Sequence, residues 1–181
     1  MTTNLTLITA FTRDLDEPVR AAVVEMCTAA HHEDFSPLFH YLPPDGLHVL
    51  AYRGAELMGH AVRTTRWAQP PGQPPLKTAY IDAVTTAEAA QGQGVGSAVM
   101  RRLAAEIYME DYALCALETD RAGFYTRLGW EMWPGPLGGR RDGAVVPTPE
   151  YQGQVLILRT PLTPPLDMEG LLTIEDQGRI W

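Results

Sequence analysis

The stretch QGQGVG, Gln91 to Gly96, sets glycine at three alternate positions just ahead of a segment in which Val95, Val99, Leu103 and Ile107 recur every four residues. That period is one buried face of an α-helix, with Arg101, Arg102 and Glu106 on the outward side. The chain must therefore turn sharply and begin a helix at the turn. Glycine lacks a Cβ, so φ can be positive and a ligand can approach the backbone closely. A helix start offers N–H groups without intrahelical partners, and its dipole favours an anion. The turn is either plain turn geometry or a cradle for phosphate oxygens. A P-loop is excluded, because Gly96 is followed by Ser97 and Ala98 rather than by Lys and a hydroxyl residue. A dinucleotide fingerprint is disfavoured as well, because the spacing is G-x-G-x-G and no early βαβ unit surrounds it.

The rest of the chain sets elements around this turn. EPVRAAVVEMCTAAH, from Glu17 to His31, puts Val19, Ala22, Val23, Met26 and Cys27 on one helical face, with Asp14 or Asp16 as N-cap and Pro18 in the first turn. GLHVLAYRGAELMGHAVRTTRW reads as a hairpin turning at Arg53-Gly54-Ala55. The proline-rich Ala68–Leu76 reads as a surface connection. KTAYIDAVTT is a strand, apolar on both faces except at Asp82, and YALCALET is a second buried strand. DRAGFYTRLGW is a short helix closing at Gly129. Trp133–Glu150 reads mostly as loop, GQVLILRT as a late strand, and MEGLLTIEDQGRIW as weakly helical and then a tail. Interleaved strands and helices with an early hairpin predict an α+β (mixed α/β) fold around one sheet.

At 181 residues the chain is expected to form a single domain, 1–181, with a sizeable core. Charged residues make up 20% and apolar residues 45%, the balance of a soluble globular protein. The net charge of −8 argues against a nucleic-acid partner, which needs clustered Lys and Arg. No apolar run is long enough to span a membrane, and the opening MTTNLTLITAFTRDLDE has neither a basic start nor a long apolar segment. A cytoplasmic location is expected. Cys27 and Cys115 read as reduced, buried thiols. The five histidines, His31, His32, His40, His48 and His60, show no metal-ligand spacing and read as packing residues, so no metal is expected.

QGQGVG resembles the Q/R-x-x-G-x-G/A signature of the GCN5-related N-acetyltransferases, and AYIDAVTT and FYTRLGW resemble that family's preceding strand and its F-Y-x-x-x-G-F/W segment, in the right order from about Leu47 to Trp133. HEDFSP, GLHVLAY, YIDAV, LGWEMWPGP and the terminal GRIW further resemble the aminoglycoside 2′-N-acetyltransferases, in order across almost the whole chain. The resemblance implies a central, mostly antiparallel twisted sheet flanked by helices, and acetyl-CoA as co-substrate. It implies that the turn Gln91, Gly92, Gln93, Gly94, Val95, Gly96 and Ser97 holds the pyrophosphate. The pantetheine arm would lie along Ala83, Val84 and Thr85, with the Val84 N–H bonding the thioester oxygen and stabilising the oxyanion. Asp82 would be the general base, acting through water because Asp is one methylene shorter than the family's usual Glu. Tyr125 would be the general acid that protonates the departing thiolate. By residue chemistry alone, Asp82 has a strand-carboxylate alternative, though a carboxylate in so apolar a run calls for a function, whereas Tyr125 beside Phe124 reads first as a packed aromatic and takes its role from the resemblance.

For the acceptor, Asp34, Asp82 and Trp181 match substrate-side positions of the aminoglycoside enzymes, and Glu118 is a further candidate carboxylate, alongside Glu150 and Asp142. The chain departs from that pattern at Arg179 and at Phe39, each standing where an acid is expected, and it adds Arg140 and Arg141. The expected acceptor is a primary amine of a small molecule, an aminoglycoside 2′-amine among them. Two other readings stay open: an amine that also carries an anionic group, and a catalytically silent acetyl-CoA sensor. An interaction module built on the proline-rich loops is a third. Relatives commonly dimerise, so the resemblance leaves a homodimer open.

Overall fold

The computed structural model describes residues 4–181. They form two compact units. The first comprises the described part of Met1–Thr64 together with Ile81–Glu106, and the second comprises Thr65–Tyr80 and Ile107–Trp181.

In the first unit, β1 (Leu5–Phe11) leads into α1 (Glu17–His31), then a single turn α2 (Leu38–Tyr41), β2 (Leu47–Arg53), β3 (Glu56–Gln69, here up to Thr64), β4 (Leu76–Thr86, here from Ile81) and α3 (Val95–Tyr108, here to Glu106). The α1 start is made as its sequence predicts. Asp16 is the N-cap and accepts from the Val19 N–H at 2.9 Å, and Pro18 sits in the first turn. Val23, Met26 and Cys27 are its buried face. Val23 and Cys27 pack with Leu15, Leu38, Leu50 and Val62 as the core of this unit. β2 and β3 are the expected hairpin, with Gly54 at φ 66° in its turn. β1 pairs antiparallel with β2 from Leu5↔Arg53 to Phe11↔Leu47. That strand is absent from the sequence reading, which placed nothing ahead of the first helix. Val95, Val99 and Leu103 of α3 are buried as their spacing requires. A Cβ on Gly59 of β3 would stand 2.8 Å from Val95 Cγ1, so the glycine lets the start of α3 lie directly on the strand.

The second unit adds β5 (Leu114–Glu118), α4 (Ala122–Thr126), β6 (Glu131–Met132), β7 (Leu137–Arg141), β8 (Ala144–Pro147), β9 (Val155–Leu158) and β10 (Leu172–Glu175). Its strand order is β6-β9-β5-β4-β3-β10-β7-β8. Most pairs are antiparallel; β4 with β5 and β10 with β7 are parallel. Trp133, Tyr80, Leu114, Val155, Ile157, Leu172, Ile174 and Trp181 form its core.

Three expectations fail here. Trp133–Glu150 is not mostly loop, because β7 and β8 pair from Gly138↔Pro147 to Arg141↔Ala144 around Asp142-Gly143. Both turn residues have positive φ, 51° and 78°, the backbone of a tight hairpin turn. The final segment carries a strand, not a helix, because Leu172–Glu175 find partners in β7 and in Ala68 and Gln69. For the same reason Ala68 and Gln69 are strand residues, and the proline-rich connection shrinks to residues 70–75. The fold class is the expected one, a mixed α+β arrangement with a largely antiparallel sheet and flanking helices.

Candidate active site

The glycine turn has the conformation its sequence demands. Gly92 and Gly94 have φ of 72° and 80°, and a Cβ at either would meet open space, so these glycines serve the backbone angle rather than crowding. Gln91 to Gly94 are exposed, and the helix begins at Val95. The Ala98 N–H bonds the Gly94 carbonyl at 2.9 Å, so the N–H groups of Val95, Gly96 and Ser97 belong to the first turn, ahead of any i−4 partner within the helix. Gln93 braces the loop. Its amide donates to the Ala89 carbonyl at 2.7 Å, and its Oε1 accepts from Arg53 at 3.0 Å. Among the described residues the Arg53 Nε–H is buried without a hydrogen-bond partner. A guanidinium beside an exposed glycine turn that opens a helix fits a pyrophosphate in charge and in donor chemistry. Arg53 was not foreseen; its only signal was a basic residue at the hairpin tip.

In β4, Asp82, Ala83 and Val84 are half-buried and Thr85 is buried. Ala83 has φ of 49°, a left-handed angle that costs a residue with a Cβ about 1 kcal/mol and kinks the strand. Side chains hold the kink in place. His60 Nδ1 bonds the Ala83 carbonyl at 2.8 Å, and His31 Nε2 lies 3.2 Å from the Val84 carbonyl and 3.1 Å from Thr85 Oγ1. Cys27 Sγ reaches the same Thr85 hydroxyl at 3.2 Å. Burial pushes the Cys27 thiol up to about 11 and the Cys115 thiol up to about 12, so both are inert, neutral packing groups.

Asp34 is exposed after α1 and closes an Asx turn, accepting the Ser36 N–H at 2.8 Å and its hydroxyl at 3.0 Å. Those two bonds hold its carboxyl below the usual range.

In the second unit Tyr125 is buried on α4, edge-on to Phe124 and Trp130. Burial, reinforced by the Asp120 and Glu118 charges, raises its phenol well above the ordinary value, so it carries its proton at neutral pH. Glu118 ends β5, half-buried. Trp181 is 4% exposed, sits in the core of this unit, and donates its indole N–H to Thr148 Oγ1 at 2.9 Å. The added cations are tied down. Arg140 donates to Thr173 Oγ1 at 2.8 Å and to the Trp67 carbonyl at 2.5 Å, and it lies 3.8 Å from Glu175. Arg141 is paired with Asp176. Arg179 stays exposed, with its guanidinium 5.7 Å from the Tyr80 ring centre.

Residues 13–130 match the model of the Acetyltransferase (GNAT) family. The chain belongs to that family: it is an N-acetyltransferase of the GNAT kind that uses acetyl-CoA. It is 31% identical over 177 residues to an aminoglycoside 2′-N-acetyltransferase of Mycolicibacterium fortuitum, covering 94% of this chain and 89% of the relative. Its fold is similar to that of the Escherichia coli GNAT family N-acetyltransferase YhbS in complex with CoA, with a TM-score of 0.65, 16% identity, and coverage of 95% of this chain and 90% of that one. Escherichia coli ElaA is also similar, at a TM-score of 0.63 and 16% identity, over 86% of this chain and all of that one. The match to Eis1 of Mycobacterium abscessus, with a TM-score of 0.61 and 18% identity, takes in 72% of this chain but only 32% of the longer protein. No described helix is long and apolar enough to cross a membrane.

Proposed function

We propose that residues 1–181 act as one acetyltransferase domain that acetylates a primary amine of a small molecule, with an aminoglycoside 2′-amine as the leading acceptor. The observation that carries the acceptor assignment is the 31% identity, over 94% of this chain, to a protein named as an aminoglycoside 2′-N-acetyltransferase. The pairing of Arg140 with Glu175 and of Arg141 with Asp176 supports it, because it removes two cations that would otherwise repel a polycationic sugar.

Acetyl-CoA brings an acetyl group already activated as a thioester. On this reading, Gln91 to Ser97 hold its phosphates through backbone N–H groups, and Arg53 supplies the positive charge. Ala83, Val84 and Thr85 receive the pantetheine arm. The Val84 N–H donates to the thioester oxygen as negative charge builds there. Asp82 takes the proton of the attacking amine through a water, and Tyr125 gives its phenolic proton to the thiolate sulfur. Asp34, Asp82 and Glu118 supply negative charge toward a cationic acceptor, whereas Trp181, 4% exposed with its indole N–H on Thr148, is a packing residue rather than an acceptor contact.

Exposed Arg179 favours a second reading, an amine whose molecule also bears a carboxylate or phosphate. Mass-detected acetyl transfer from acetyl-CoA to two matched aminoglycosides, one with a 2′-amine and one with a 2′-hydroxyl, separates the two. Acetylation of the 2′-amino compound alone is the expected result. Acetyl-CoA binding with neither compound modified would refute the aminoglycoside and turn the search to partly anionic amines.

A further inference from the structure

The interior of the first unit contains a hydrogen-bonded chain that none of the assigned roles uses. Thr12 Oγ1 lies 2.9 Å from His48 Nε2, His48 Nδ1 lies 2.8 Å from His60 Nε2, and His60 Nδ1 lies 2.8 Å from the Ala83 carbonyl oxygen. Both imidazoles are fully buried. Burial pushes His48 down to about 3, with the His60 and Arg20 charges adding to it, and pushes His60 down to about 4. Both rings are therefore neutral in the working protein.

The far end of the chain fixes the direction of every proton in it. A carbonyl oxygen can only accept, so His60 carries its proton on Nδ1 and presents a lone pair at Nε2. His48 must then donate from Nδ1 and accept at Nε2, which draws the single Thr12 hydroxyl proton to His48 at 2.9 Å in competition with the Gly46 carbonyl at 3.2 Å. One tautomer of each ring satisfies all three bonds. Three donors point the same way, toward Ala83, and such a run polarises cooperatively in a dry interior.

The acceptor of that run is the oxygen of the Ala83–Val84 peptide. The chain contains no cis peptide among the described residues, so in this planar trans unit the Val84 N–H points opposite to the Ala83 carbonyl, away from His60. A hydrogen bond to an amide oxygen draws electron density from its nitrogen and makes the N–H a stronger donor. The positive φ of Ala83 is a strained angle, and the His60 bond on its own carbonyl opposes relaxation of that strain.

We propose that His48 and His60 are positioning residues for acetyl transfer: through the Ala83 carbonyl they orient and polarise the peptide whose opposite edge, the Val84 N–H, donates to the thioester oxygen. This rests on the assignment of that N–H above. The two rings touch no substrate; they tune a backbone donor from behind.

The test compares wild type with His60→Leu, which removes the donor, His60→Asn, which keeps an N–H near the Nδ1 position, and His48→Phe, which leaves His60 without its donor. Each is read three ways: the backbone shifts of Ala83 13C′ and Val84 15N in the free protein, the dissociation constant of acetyl-CoA, and kcat. The expected result in His60→Leu is an upfield move of both shifts and about a tenfold loss of kcat, short of the ~10²–10³ seen when an oxyanion donor is removed outright. Acetyl-CoA affinity should stay within about twofold, because the contact matters most as charge develops. His60→Asn should restore most of the kcat, and His48→Phe should show a smaller loss of the same kind. Wild-type shifts and kcat in whichever of His60→Leu and His48→Phe folds would overturn the proposal. So would a loss of acetyl-CoA affinity as large as the loss of kcat. If the wild-type protein turns over no acetyl-CoA, the functional reading fails instead, and the two backbone shifts still report whether the peptide is polarised.

Discussion

Each unit buries an arginine, Arg63 in the first and Arg66 in the second, yet their polar networks differ in charge. The first buries polar groups as a neutral relay, from Thr12 through His48 and His60 to a backbone carbonyl, with no formal charge in the run. The network of the second is cationic. Arg66 is 2% exposed, donates to the main-chain oxygens of Glu175 and Arg179, and stacks at 4.7 Å over Tyr80. Arg140 joins the same Glu175. Charge in the second unit ties the C-terminal strand β10 to β3 and β7. A neutral relay suits a site that must keep one peptide in one orientation, whereas a cation network suits a seam between distant parts of the chain.

The contrast predicts where each unit breaks. The largest effect belongs to the second unit's core. Trp133 is fully buried and its indole N–H donates to the Gly170 carbonyl at 3.0 Å, so Trp133→Ala should cost about 3–5 kcal/mol in a denaturant melt. Next comes the cation seam. Glu175→Gln leaves the Arg66 and Arg140 cations without their carboxylate, at a cost of about 1–3 kcal/mol after allowance for Glu175's partial exposure. High salt should reduce the penalty at the seam and leave the Trp133 loss unchanged.

The histidine relay makes the opposite prediction in pH. His48 and His60 are neutral when folded down to about 3 and about 4, against an ordinary value of 6.5 in the unfolded chain. Below 6.5 the unfolded chain binds protons that the native protein cannot, so stability is present above that pH and drains away as pH falls toward 4. Tm measured from pH 7 to pH 4 should fall along this limb, and His48→Phe should flatten it. A flat wild-type limb would mean that the relay is not neutral. The smallest effect is the control: Arg102→Ala removes an exposed i,i+4 pair with Glu106 and should cost about 0.3–0.5 kcal/mol.

The same contrast governs what the sequence revealed. Elements specified by local periodicity and caps were legible, namely α1 with its Asp16 cap, α3 with its four-residue spacing, and the β2–β3 hairpin. Elements specified by distant partners were not. β10 is four residues that become a strand only against β7 and β3, and β1 needs β2. β7 contains two glycines and two arginines, a poor strand by propensity, and only the Asp142-Gly143 pair in the sequence signals its hairpin with β8. At the site, the glycine turn was legible because φ is a local demand. Arg53 and the His48–His60–Ala83 chain were not, because they join residues from separate strands, and histidine spacing alone points only to packing.

The central claim is that the Gln91–Ser97 turn holds the phosphates of acetyl-CoA. Titration of acetyl-CoA by calorimetry into wild type and into a Gly92→Ala, Gly94→Ala double variant tests it most directly. Both positions have open space for a Cβ, so the substitutions act through φ and should cost about 1–2 kcal/mol each while the fold persists. The account predicts clear binding to wild type and at least about tenfold weaker binding to the variant, from misaligned N–H donors. Equal affinities in two folded proteins would contradict it.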